Sequence, residues 1–204
     1  MKSTLRDLAE TIILTLVIFL LVRAVVQNFK VEGRSMEPTL QNNQYLLVNK
    51  IVYWHLDGAM LSALFPGMID ESLARGGAVY PFGEPRRGDI VVFRFPRDPS
   101  RDFIKRIVAM PGDTVEIRAG RVFVNGQFIH ETYVNQNGDY NWGPERISPG
   151  AYFVLGDNRN NSSDSHVWGP VPRDNIIGKA WLSYWPFDQF GVLSDSAFAF
   201  AALP

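Results

Sequence analysis

The chain of 204 residues has no cysteine. That excludes disulfides, thiol nucleophiles and Cys-ligated metals, though it does not identify the compartment. Histidine is scarce: His55, His130 and His166 are scattered without the spacing of a ligand set, so the sequence offers no metal site. No serine sits in a Gly-x-Ser-x-Gly elbow. An excess of charge of either sign is missing too, with a net charge of -1 and a pI near 6.3, so neither a nucleic-acid partner nor charge-driven disorder is indicated. Long apolar runs are absent after the N-terminus. Hydrophobic residues still make up 46% of the chain, enough for one domain with a sizeable core.

One apolar run is present. From Thr11 to Val22 there is no charge, and extending the run to Leu8 and Phe29 gives about 22 residues, or about 33 Å of helix, enough to cross a bilayer core. A spanning anchor, a cleaved signal peptide and a buried helix all fit such a run. Leu21-Val22-Arg23-Ala24 loosely resembles a cleavage site, but Arg23 stands where an uncharged residue is usual and the apolar pattern resumes at Ala24. Length and flanks favour the anchor over residues 8–29, after a short flank at 1–7. Lys2 and Arg6 before it and Arg23, Lys30 and Arg34 after it leave the orientation undecided by charge.

The remainder reads as antiparallel β structure. Tyr45–Trp54, Ile90–Phe95, Phe103–Met110, Thr114–Arg118, Arg121–Val124, Gln127–Ile129, Ala151–Leu155 and Ile176–Trp185 are rich in β-branched and aromatic residues. Asn125-Gly126 is a strong hairpin signal. Pro96–Asp102 reads as a polar connection and Asn135–Pro149 as a polar excursion. Residues 55–88 carry many Gly and Pro and read as an inserted loop whose apolar Met60–Phe65 either touches lipid or folds under the domain, the second being the plainer reading. Residues 30–190 form the domain, and 191–204 read as a flexible tail without a partner strand.

Three stretches carry chemistry. Ser35 lies in Gly33-Arg34-Ser35-Met36-Glu37-Pro38-Thr39, just after the apolar segment. Taken singly it is better explained as a helix N-cap than as a nucleophile. A serine nucleophile needs a base, and Lys105 in Phe103-Ile104-Lys105-Arg106 is a candidate if burial lowers its pKa. Strand periodicity does not separate Lys105 from Arg106, but a guanidinium does not give up its proton at usable pH. Gly156-Asp157-Asn158-Arg159 through Ser162-Ser163-Asp164-Ser165 is the third stretch, by itself readable as a solvated loop.

Together with Gly88-Asp89-Ile90-Val91 and Pro111-Gly112-Asp113, these motifs run in order along the chain, and in them the sequence resembles the type I signal peptidases, membrane-bound Ser-Lys endopeptidases of peptidase family S26. The resemblance implies a mainly β, antiparallel catalytic domain behind one N-terminal transmembrane helix. It implies Ser35 as nucleophile, with its own N–H as oxyanion donor, and Lys105 as a neutral general base. Ser162 would aim the amine, Asp157 and Asp164 would be structural acids, and Arg106 would pair with Asp157. Phe29, Val31, Met36, Leu40 and Ile104 match positions lining the substrate pockets. No cofactor or metal is implied. The implied partners are signal peptides, the lipid bilayer and the export machinery, with the domain on the extracytoplasmic side of a plasma or thylakoid-type membrane. Asn160 and His166 depart from the family, which often has Asp and Arg there. A membrane-tethered β domain that binds extended peptides without cutting them is the alternative. A self-cleaving repressor would need a helix-turn-helix that residues 1–30 do not supply.

Overall fold

The computed structural model describes residues 2–68, 70, 78–193 and 199–200. Helix α1 (Lys2–Val25) opens the chain. Its segment Arg6–Val25 is long and apolar enough to cross a membrane, with a mean hydropathy of 2.3, and none of it is covered by the rest of the protein. A helix apolar on all sides and uncovered along its length is suited to lipid.

The anchor ends earlier than the sequence indicates. Val26–Lys30 is strand β1, paired antiparallel with β2 (Tyr45–Asn49) so that Val26 faces Asn49 and Lys30 faces Tyr45. Val26 and Phe29 continue the apolar pattern, but β2 supplies their backbone partners, and apolar content alone cannot separate the two states. Strand β2 is shorter than expected because the Asn49 side chain accepts the backbone N–H of Ile51 and Val52 and turns the chain. Within 55–88 lie β3 (Leu56–Asp57), α2 (Gly58–Leu64) and β4 (Ala78–Val79), β3 pairing with β4, while residues 69 and 71–77 fall outside the described part. Met60, Leu64 and Phe65 are exposed, so this segment does not fold under the domain.

Strands β5 (Ile90–Phe95) and β6 (Asp98–Ala109) form a long hairpin. Its tip is only two residues, so most of the expected connection 96–102 is strand. Beyond it come β7 (Thr114–Arg118), β8 (Arg121–Val124), β9 (Gln127–His130), β10 (Trp142–Arg146), β11 (Ala151–Leu155), β12 (Val171–Pro172) and β13 (Ile176–Trp185). Strand β10 lies inside the stretch expected to be irregular; its pairing to β7 shifts register between Trp142 and Glu145. The tail is corrected as well: β14 (Gly191–Val192) pairs with β13, and β15 (Ala199–Phe200) pairs with β9. Residues 194–198 and 201–204 lie outside the described part.

The larger sheet has the order β1-β2-β13-β5-β6-β11-β12, with β14 attached to β13, and the smaller has the order β10-β7-β8-β9-β15. This is the mainly antiparallel β architecture expected. One core, containing Val31, Met36, Leu40, Leu46, Val48, Ile90, Val92 and Ile104, lies beneath the Ser35 turn. A second, with Tyr53, Val91, Phe93, Ile107, Tyr152 and Trp168, packs on the opposite side of the sheet. A third joins the smaller sheet to the Val108–Ala109 end of β6.

Candidate active site

Three segments meet around the Ser35 hydroxyl. The first is the turn at 33–39. Gly33 has φ of +87°, a conformation that favours glycine, and its N–H is held by the Asn42 side chain. Met36 and Leu40 are fully buried and pin the turn to the core, each contributing about 1.5–3 kcal/mol by area. Ser35 caps no helix here; its hydroxyl faces a lysine.

The second is β6. Lys105 is only 5% exposed, and its Nζ lies 2.7 Å from Ser35 Oγ and 2.9 Å from the Ile104 carbonyl oxygen. No carboxylate comes within ion-pair distance among the described residues. Burial pulls the ammonium pKa down to about 8, against the smaller opposing pull of Asp164 and Asp157. The ring of Phe103 stands 5.7 Å from the nitrogen. The next residue, Arg106, has 0% exposure and the opposite fate. Its Nε and Nη2 donate to Asp157 at 2.9 and 2.6 Å, and its Nη1 donates to the Gly88 carbonyl at 2.8 Å. Burial by itself would lower its pKa, but hydrogen bonds and charge from Asp157 outweigh that and raise it. Arg106 and Asp157 thus form the expected pair, fully buried on both sides.

The third segment runs from Gly156 to α3 (Ser165–Trp168). Asn158 clamps the turn, donating its N–H to the Ser35 carbonyl at 3.0 Å and its side-chain amide to the Arg34 carbonyl at 3.1 Å. The approach is so close that a Cβ on Gly156 would stand 2.5 Å from the Ser35 carbonyl oxygen and 2.2 Å from Ser162 Oγ. Asp164 is buried; it accepts the Gly156 N–H at 3.0 Å and pairs with His166, which stacks on Tyr140 at 4.2 Å. His166, one of the two departures from the family, thus still contacts Asp164. Asn160, the other departure, is exposed.

Ser162 does not bond Lys105. Its buried hydroxyl has no hydrogen-bond partner among the described residues. The Ser35 backbone N–H likewise donates to no acceptor among them, which leaves it open to a developing oxyanion.

A cleft of about 570 Å³ opens beside Ser35 and Lys105 between β1 and the outer half of β6. Gln27 to Lys30 line one side and Arg101 to Lys105 the other. Of the expected pocket residues, Phe29 and Ile104 line it. Val31, Met36 and Leu40 do not: they are 0–2% exposed and belong to the core below. The resemblance singled them out, but apolar side chains serve equally well under a floor as in a pocket.

Sequence reading also missed a brace behind Arg106. Tyr133 lies flat under the guanidinium at 4.0 Å, and Glu131 accepts hydrogen bonds from Tyr133 and from Arg159. Nothing local in residues 131–133 announces this, because their partners are distant in sequence. Gly156 and Asn158 were within the recognised stretch, but their grip on the serine turn needs three dimensions.

A family model described as "Signal peptidase, peptidase S26" matches residues 5–185. A signal peptidase I of Leptolyngbya laminosa is 40% identical, over 94% of this chain and 85% of the relative. A probable signal peptidase I-2 of Synechocystis sp. is 36% identical, over 96% and 80%. A thylakoidal processing peptidase 1 of Arabidopsis thaliana is 35% identical, over 80% of this chain and 43% of its own length. Matched over most of its length by the family model and by these relatives, the chain belongs to the type I signal peptidases of peptidase family S26, the serine endopeptidases.

Proposed function

We propose that this chain removes signal peptides from exported precursors through a Ser35–Lys105 dyad, cutting after small-x-small sites. The observation that carries the reading is the 2.7 Å approach of a buried lysine amine, without a carboxylate partner, to the Ser35 hydroxyl. With Lys105 neutral, the hydroxyl donates to its lone pair. Oγ attacks the scissile carbonyl carbon as the proton passes to Nζ, and the Ser35 N–H receives the oxyanion. Collapse breaks the C–N bond, the ammonium returns its proton to the leaving amine, and an ester remains on Ser35. Water then attacks this acyl-enzyme while Nζ again takes and returns a proton.

The substrate lies extended. Strand β1 pairs only with β2 among the described residues, so its other edge is open to the backbone of a precursor, with alternate side chains turned into the cleft. Phe29, Ile104 and the dyad leave shallow space suited to alanine at the first and third positions before the cut. Longer side chains are rejected by overlap. In this proposal Ser162 Oγ, without a hydrogen-bond partner among the described residues, has the part of receiving the amine as it moves during turnover. The domain faces the extracytoplasmic side of a plasma or thylakoid-type membrane, where precursors arrive from the export machinery. The names of the cyanobacterial and thylakoidal relatives support that location.

The test is cleavage of a purified precursor in detergent by the wild type, Ser35→Ala and Lys105→Ala. Cleavage by the wild type alone is expected, with the new N-terminus following a small-x-small sequence. Equal cleavage by either variant contradicts the dyad. A precursor that binds the wild type yet stays intact would instead support the peptide-binding domain.

A further inference from the structure

Among the described residues, seven large apolar side chains stand exposed on the segment after β2: Trp54, Met60, Leu64, Phe65, Met68, Val79 and Phe82, between 40% and 81% accessible. Trp54 and Phe82 meet at 6.4 Å between ring centroids, bringing the two ends of the segment together. Helix α2 between them contains no charged residue, and its first turn is fixed by Asp57, which accepts the Ala59 N–H at 2.7 Å. Exposed apolar side chains gathered on one segment mark an interaction surface.

The β ladder shows where this face lies. Val26, first strand residue after α1, faces Asn49, and Asn49 faces Lys179. Lys50, the next residue, donates its backbone N–H to the Val25 carbonyl at 2.8 Å and its ammonium to the Arg23 carbonyl at 2.7 Å. The chain therefore leaves β2 against the last turn of α1, and the four residues to Trp54 reach at most about 14 Å. Farther along, His55 lies 3.6 Å from Asp174 and Arg173 lies 3.7 Å from Asp57. Residues 173–174 precede β13 at the end where Lys179 faces Asn49, the anchor end, whereas Trp185 faces Tyr45 at the other. The smaller sheet departs from the opposite end of β6, packing on Val108 and Ala109. The exposed face is thus on the side of the domain from which α1 emerges.

We propose that α2, with Trp54, Phe65 and Phe82, is a second membrane contact, lying in the interface of the bilayer beside the anchor. The proposal rests on the reading of α1 as a membrane span. Helix α2 is far too short to span, and the exposed Trp54 shortly before it is of the kind that settles at headgroup level. A single helix leaves the domain free to rotate about its axis. A second contact fixes that rotation, and with it the height of the cleft, whose β1 side begins two residues after α1, above the lipid.

The absence of cysteine permits a direct test on the full chain. Leu64→Cys on the face, Ile18→Cys within α1 and Gln127→Cys on the smaller sheet are each labelled with a nitrobenzoxadiazole probe and reconstituted into phosphatidylcholine–phosphatidylglycerol vesicles. Quenching by a shallow nitroxide lipid and by aqueous iodide is then read. An interfacial helix sinks about 5–10 Å into the headgroup–acyl boundary, so the Leu64 probe is expected to lose roughly half or more of its emission to the lipid quencher and be shielded from iodide. The Gln127 probe is expected to show the reverse. Lipid quenching at Ile18 with none at Leu64, and Leu64 open to iodide, overturns the second contact while leaving the anchor standing. No lipid quenching at Ile18 overturns the anchor reading, and the proposal with it. Shielding at Leu64 without lipid quenching means that protein and not lipid covers the face, and also overturns the proposal.

Discussion

The two faces of β6 bury two basic residues side by side and treat them in opposite ways. On one face Arg106 is enclosed by Asp157, the Gly88 carbonyl and the Tyr133 ring, so its charge is matched and retained. On the other face Lys105 is just as thoroughly covered, but it is given a hydroxyl and a backbone carbonyl in place of a carboxylate. Burial is common to both, and the partner decides the outcome: a permanently charged clamp beside an amine that releases its proton at about pH 8. The clamp ties β6 to the segment at 156–158, and that segment grips the Ser35 turn through Asn158. Structure on one face thereby sets the geometry of chemistry on the other.

The most severe way to break the contrast is to make both residues alike. In Lys105→Arg the base keeps its proton at every usable pH, so kcat/KM is expected to fall by about three orders of magnitude or more. Cleavage of a precursor measured by gel checks this, and a mild loss would mean that another group takes the serine proton.

Removing the clamp is the next largest effect and should appear first in stability. Arg106→Ala leaves Asp157 buried without its partner, a change that costs about 3–5 kcal/mol. Thermal and denaturant unfolding in detergent would register it. A variant within about 0.5 kcal/mol of the wild type would show the pair to be dispensable.

The smallest and sharpest probe is Ser162→Ala, where stability and activity should part company. The hydroxyl is buried without a partner among the described residues, so its loss should leave stability unchanged or raise it by about 1 kcal/mol. If it positions the amine during turnover, kcat falls by about 10²-fold with KM little changed. A drop in both stability and kcat would mark it as a packing residue only.

What could be read from the sequence divides along similar lines. Runs of β-branched and aromatic residues located β5, β7, β8, β11 and β13 closely, because each is packed on a core, β5 and β11 on both faces. Val26–Phe29 was absorbed into the anchor since apolar residues are equally at home in lipid and on a strand. Strand β10 escaped notice because Trp142–Arg146 lies among glycines and prolines and is held by β7 rather than by its own propensity. The tail pairings at 191–192 and 199–200 depend on strands far earlier in the chain. Within the site, motif order led to Ser35, Lys105 and the Arg106–Asp157 pair. The Glu131–Tyr133–Arg159 brace and the sinking of Val31, Met36 and Leu40 below the cleft are consequences of packing, which no single stretch records.

The central claim is that burial without a counter-charge frees the Lys105 amine near physiological pH. It is tested most directly by titrating the 13Cε chemical shift of Lys105 in the Ser35→Ala protein, assigned by comparison with the same protein carrying Lys105→Arg. A midpoint near pH 8 is expected. A midpoint at the ordinary lysine value of 10.5 would contradict the claim.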